Sequence, residues 1–332
     1  MIRVAALFGL AGLALATGLL VWQGFGAVLA AFAAAGFGIV WASLFHIVPM
    51  ALNARAWQVL MPLRLRPDTL FFLRAVWLRE AVNGLLPVAR IGGEIASARL
   101  LIERGSRPPL AVASLVVDMT LALASQFCFA MLGLALLARV GGGSTLQQQI
   151  GLGLLAALPI LAALALVQRF GFFALLATIV RGVFGDRFQG LVGGAAPLDR
   201  AVRRLYRRRR AILACFAWQF VAWVVGAGEI ALALEFLGAP RSLADAVMIE
   251  ALIQVLSSAA FVVPAALGVQ EGGFLVLGGL IGLTPDVALA LALMRRARDV
   301  VIFVPALAWW QLSLGRRLLR RPGPDPSAPA AR

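Results

Sequence analysis

Nearly uncharged apolar runs constrain this chain more than any motif in it. Six of them, over 4–21, 25–52, 109–138, 150–168, 211–237 and 287–314, reach the roughly 18 residues that mark a candidate membrane span. Two further apolar stretches, over 70–105 and 246–283, are broken by Pro, Gly and charge. Only 14% of the 332 residues are charged, where a soluble domain carries roughly a quarter, so a soluble enzyme is excluded. Arg3 before the first run and Ala14-Leu15-Ala16 within it look like parts of a cleaved signal. A second apolar run follows at once, so the first is expected to stay as a span.

A formal charge of +15 raises the question of nucleic acid. The distribution of the charge answers it. All 30 basic residues are Arg, and they concentrate after the second run, in the loop 169–210 and in the tail after 314. That asymmetry follows the positive-inside rule and predicts both termini on the cytoplasmic side of a bacterial inner membrane. No aromatic platform or nucleic-acid fold accompanies the arginines, so no nucleic-acid partner is expected; anionic lipid headgroups fit them better. Cys128 and Cys215 lie in apolar runs and read as small buried thiols. His46 is the single histidine and reads as a packed, hydrogen-bonded ring. With no Lys, no Cys pair and one His, the chain offers no Schiff base, Walker loop, metal site or Ser-His-Asp triad. It calls for no cofactor and no metal.

An internal repeat organises the rest. Pro87, Glu94, Gly105 and Pro108 recur as Pro264, Glu271, Gly282 and Pro285, with intervals of 7, 11 and 3 residues in both copies. A long apolar run follows each copy. Counting crossings from a cytoplasmic amino terminus brings the two copies in from opposite faces, if each dips in and out. The predicted fold is an all-α polytopic membrane protein of two inverted repeats, each of three spans plus a re-entrant helical hairpin. The first repeat covers 1–138 with its hairpin over 70–105. The second covers 139–314 with its hairpin over 246–283, and 315–332 is a basic then Pro/Ala-rich tail. Pro87, Gly92, Gly93, Pro264 and Gly268 are the expected hairpin breaks, since irregular backbone at membrane depth survives only beside protein or a water-filled cavity. Two full spans from each broken stretch would preserve the same end positions.

Charges at membrane depth mark the candidate site. A lone ionised residue there costs roughly 2.5–3.5 kcal/mol, so it is normally paired or functional. Glu94 and Glu271 hold equivalent repeat positions, and Asp118 and Arg295 each follow them by 24 residues. Their opposite signs predict an Asp118–Arg295 ion pair across the symmetry axis. Arg298 and Asp299 crowd the same region, and Glu229 is a further carboxylate in the 211–237 span. Two readings stand: the charges fix helix register, or Arg90, Glu94, Glu271 and Arg298 hold a lipid headgroup or carry protons.

At these residues the chain resembles a known family. Leu86-Pro87 with Gly92-Gly93-Glu94 and Leu100-Leu101, and Pro264 with Leu267-Gly268-Val269-Gln270-Glu271-Gly272, look like the two signature regions of the flippase-like membrane family. That family includes the transmembrane half of lysylphosphatidylglycerol synthases. Arg295-Arg296-Ala297-Arg298-Asp299, then Pro305 and Trp309-Trp310-Gln311, is most similar to its hopanoid-biosynthesis-associated branch. The resemblance implies a protein that translocates or delivers lipid. Family members often carry Arg three residues after the first acidic residue; here that place is Ser97, with Arg99 two further on among the candidate site residues. No lysyl-transfer domain accompanies the resemblance.

The expected function is lipid translocation or delivery in the inner membrane, of hopanoids or a phospholipid, without enzymatic activity. Membrane lipids are the expected partners, with lipid-synthesis or export proteins beside them. A scaffold that docks lipid-synthesis enzymes on its Arg-rich face is the alternative, and a membrane-embedded enzyme using carboxylates alone is the third class.

Overall fold

A computed structural model describes residues 36–62, 67–85, 92–140, 195–259 and 269–319. Every regular element among them is a helix. In chain order they are α1 (Gly38–Phe45), α2 (Ile47–Leu60), α3 (Thr69–Leu85), α4 (Gly92–Glu103) and α5 (Pro108–Val140). There follow α6 (Ala195–Tyr206), α7 (Arg209–Phe236), α8 (Leu243–Ala259), α9 (Val269–Leu280) and α10 (Pro285–Leu319). The predicted spans over 4–21 and 150–168, residues 25–35 of the second span, the tail beyond Leu319, and the sites Pro87, Arg90, Pro264 and Gly268 lie outside the described residues.

Among the described residues, three stretches are long and apolar enough to cross a membrane: Gly38–Leu60, Pro108–Arg139 and Arg209–Phe236. The first runs past the predicted limit at 52 to Leu60 and is jointed at His46. Pro49 explains the joint, because it lacks the amide that would bond the Phe45 carbonyl, the last residue of α1. The predicted last span is the helix α10, longer than expected, with Pro305 inside it and Arg295, Arg296, Arg298 and Asp299 breaking its apolar character.

The helix pattern recurs as the sequence repeat suggests. A 17-residue helix, a 12-residue helix and a long helix follow one another as α3, α4, α5 and again as α8, α9, α10. Both short helices end in the same turn. Gly105 (φ 96°) and Gly282 (φ 74°) take the left-handed conformation, and the next amide reaches back five residues, Ser106 to Leu101 and Leu283 to Gly278. Pro108 and Pro285 then open the long helices, where a missing amide costs nothing. Between the first two helices of each set the contact also recurs: the Gly93 amide donates to Asn83 Oδ1 at 2.9 Å, and Gln270 Nε2 donates to Ser257 Oγ at 2.9 Å. The first contact spans 10 residues and the second 13, so the second set holds three more residues between its paired helices.

Three apolar cores lie among the described residues, the smallest around Phe129 and Ala251. Trp57, Phe72, Leu78 and Leu101 centre one that joins α2 to α5 with Phe303 and Leu307 of α10. Ile230, Leu234, Met248, Ile253, Phe274 and Leu291 centre another. Helices approach closely where small residues meet; a Cβ on Gly133 of α5 would sit 2.5 Å from Ala251 of α8. In the Arg-rich loop, α6 is amphipathic, with Leu198, Val202 and Leu205 buried and Arg200, Arg203 and Arg204 exposed. Cys215 is buried, whereas Cys128 lies on the exposed face of α5 and is not the buried thiol that its run implied.

Candidate functional site

Three groups of ionised side chains sit between these helices. Arg79 of α3 anchors the first, donating to Asp118 Oδ2 of α5 at 2.8 Å and lying 3.9 Å from Glu94 Oε2 of α4. Its guanidinium also covers the Trp57 ring at 5.6 Å, a cation–π contact that replaces water on that face. Asp118 accepts further bonds from Gln219 Nε2 at 2.8 Å and the Cys215 thiol at 3.7 Å. Asn83 Nδ2 donates to Glu94 Oε1 at 3.2 Å. Gly93 permits this meeting: a Cβ there would stand 2.3 Å from the Arg79 carbonyl.

The second group centres on Arg298 of α10. Its Nη1 lies 2.9 Å from both oxygens of Glu229 on α7, and its other nitrogens bond the neighbouring Asp299. His46, at the α1–α2 joint, faces Glu229 Oε2 with Nδ1 at 3.0 Å and Glu80 Oε2 of α3 with Nε2 at 3.3 Å. Beside it, Arg295 makes a two-pronged bond to Glu250 of α8, itself held by Gln254. Ser43, Glu229, Arg295 and Arg298 line a small cleft whose other walls include Phe274 and Met294. In the third group Arg296 Nε donates to Glu271 Oε1 of α9 at 3.1 Å.

The predicted Asp118–Arg295 pair does not form. Each finds its own partner on a helix the pairing overlooked, Asp118 on Arg79 and Arg295 on Glu250. Matching sequence positions need not face one another, and each of these two charges is neutralised by a side chain of a different helix. Arg99 also stands apart, since it is exposed and pairs with Glu103 one turn along α4. Ser97, at the place where the resembled family carries Arg, is fully buried and donates to the Glu94 carbonyl. Glu94, Asp118, Glu229, Glu271, Arg295, Arg298 and Asp299 all join the buried groups, as do Gly92 and Gly93 at the start of α4. The sequence reading passed over Arg79, Glu80, Asn83, Gln219 and Glu250. The signal for them was present: each is a polar residue in a helix whose neighbours are apolar.

Glu94 Oε2 and Glu271 Oε2 share one further property. Both are buried and lack a hydrogen-bond partner among the described residues, and both lie in the first turn of their short helices. A carboxylate there gains from the positive helix end and keeps an acceptor for an incoming hydroxyl, amine or proton. No three His, Cys, Asp or Glu side chains among the described residues are placed to hold a metal ion.

Apolar helices of spanning length, packed around ionised residues, define a multi-pass membrane protein. The family model for the lysylphosphatidylglycerol synthase transmembrane region matches residues 9–306, and the chain belongs to that family. Comparison with curated proteins and with solved structures gives no match.

Proposed function

We propose that the protein moves or delivers an amphipathic lipid in the bacterial inner membrane, a hopanoid or a related lipid, without catalysing a reaction on it. The observation that carries this reading is the pair of half-satisfied carboxylates, Glu94 and Glu271, at matching positions of α4 and α9. Among the described residues each is held on one oxygen, by Asn83 or by Arg296, and its other oxygen has no hydrogen-bond donor, which suits a polar headgroup. A purely structural ion would gain by satisfying both. In this reading α3–α4 and α8–α9 are re-entrant hairpins that enter from opposite faces, the two halves are inverted repeats, and both termini are cytoplasmic. Membership of a lipid-related family supports it, and the likeness of 295–311 to the hopanoid-associated branch supports the choice of lipid.

Glu→Gln removes the charge while keeping size and most hydrogen bonds. Glu94→Gln and Glu271→Gln are expected to insert at wild-type levels and to fail to restore lipid distribution in a strain lacking the protein. Normal distribution with both substitutions together would return the carboxylates to a structural role. The exposed arginines of α6 favour a second reading, a scaffold that docks lipid-synthesis enzymes. Lipid movement by the purified protein in liposomes separates the two, because a scaffold moves none.

A further inference from the structure

His46 stands between two acceptors. Its Nδ1 is 3.0 Å from Glu229 Oε2 and its Nε2 is 3.3 Å from Glu80 Oε2. A neutral imidazole carries one N–H, and a carboxylate oxygen only accepts, so a neutral ring would turn a lone pair toward one of them. Both contacts are hydrogen bonds only if the three groups hold two protons among them. Glu229 receives Arg298 on both oxygens, which favours its carboxylate form at rest, so the second proton resides on the ring or on Glu80; a doubly protonated ring is the arrangement in which both carboxylates stay charged acceptors.

The surrounding charge agrees. From α3 the ring meets Glu80, from α7 Glu229, and from α10 the Arg298 cation at 3.4 Å with Asp299 bound to it and the Phe303 ring edge-on. Arg295 and Glu250, next in line, neutralise each other. Arg298 alone therefore opposes the three carboxylates Glu80, Glu229 and Asp299, and a charged ring halves the excess in a medium where unbalanced charge is expensive. A small, partly polar space adjoins Glu229. Glu229 lines the cleft that Ser43 lines, and Ser43 Oγ, 1% exposed, has no hydrogen-bond partner among the described residues. The cleft has room for about one water molecule, and a hydroxyl that both donates and accepts beside it can pass a proton.

We propose that Glu80, His46 and Glu229 form a proton relay loaded through the Ser43 cleft, and that lipid movement is coupled to it; the coupling rests on the transport reading above. Release moves the Nδ1 proton to Glu229 and on to the cleft. The ring is left neutral, still donating to Glu80 from Nε2, and reloading reverses the step.

Histidine occurs once in the chain, so isotope-labelled histidine in the full protein in lipid nanodiscs reports His46 alone by NMR. Two ring N–H signals are expected at neutral pH, reduced to one in Glu80→Gln. A singly protonated ring in the wild type overturns the relay, and that result needs no variant to fold. Coupling is read with wild-type protein in vesicles of phosphatidylethanolamine and phosphatidylglycerol. These enclose a pH-sensitive dye and carry a fluorescent phospholipid or a fluorescent hopanoid polyol. Lipid movement accompanied by a shift of internal pH, and accelerated several-fold by an imposed pH gradient, is the expected result. Movement with unchanged internal pH and no response to the gradient overturns the coupling and leaves the transport reading standing. Movement of neither lipid sinks the transport reading and the coupling with it, and the NMR result alone then decides the proton site.

Discussion

Asp118, 1% exposed, accepts from Arg79, Gln219 and Cys215, and each bond offsets part of the cost of holding a carboxylate away from water. Breaking such a pair leaves its partner uncompensated, at a cost on the order of 3–5 kcal/mol. Asp118→Ala is therefore expected to lower the thermal midpoint of the detergent-solubilised protein sharply. Asp118→Leu combined with Arg79→Met should recover only part of the loss, because the Arg79–Asp118 pair is removed whole while Glu94 loses its neighbouring cation. Exchanging Asp118 and Arg295 should rescue nothing, since Arg295 belongs to Glu250. That the spans carry charge at these positions is legible in the sequence, because an ionised residue in an apolar run is expensive and is normally paired or functional. Its partner is not legible. Repeat arithmetic gives a residue's place within its half, whereas Arg79 reaches Asp118 only because α3 packs beside α5, a fact of the third dimension. His46 shows the same limit: its hydrogen bonding was expected, and the carboxylates on both sides of it were not.

At the scale of elements, glycines act by two different mechanisms. Gly93 is needed for space, with the Arg79 carbonyl 2.3 Å from where a Cβ would lie, so Gly93→Ala must push α4 from α3. Overpacking of this kind costs about 1–3 kcal/mol, and here it also strains the Asn83 contact that holds Glu94. Gly105 has open space around it, but its φ of 96° is one that L residues avoid. Gly105→Ala should cost only the backbone strain, about 1–2 kcal/mol. Thermal midpoints of both variants, read with lipid movement, test the distinction: Gly93→Ala is expected to lose both, Gly105→Ala mainly stability. Helix starts were readable, as α5, α7 and α10 begin within two residues of the apolar runs at 109, 211 and 287. The joint at His46 was less so, because Pro49 sits in an apolar run that reads as one uninterrupted span.

For the molecule as a whole, the distribution of arginine predicts an orientation in the membrane. Reporter tags after residue 205 and at the carboxyl terminus are expected to read cytoplasmic, and tags near 144 and 242 periplasmic. A cytoplasmic signal at 144 would break the inverted arrangement. The same exposed arginines of α6 continue to Arg208, whose Nη1 donates to the Leu60 carbonyl at the end of α2. That bond gives the joint at His46 a mechanical meaning. Fourteen residues of α2 at about 1.5 Å each span about 21 Å between that joint, which is short of one backbone rung, and the Arg208 contact. A swing of about 10° would carry its far end about 4 Å, and the basic helix moored there would travel with it. The two carboxylates that grip the imidazole and the arginine that holds the Leu60 carbonyl thus sit at the two ends of one helix, and that helix is a physical link between the buried charges and the Arg-rich segment.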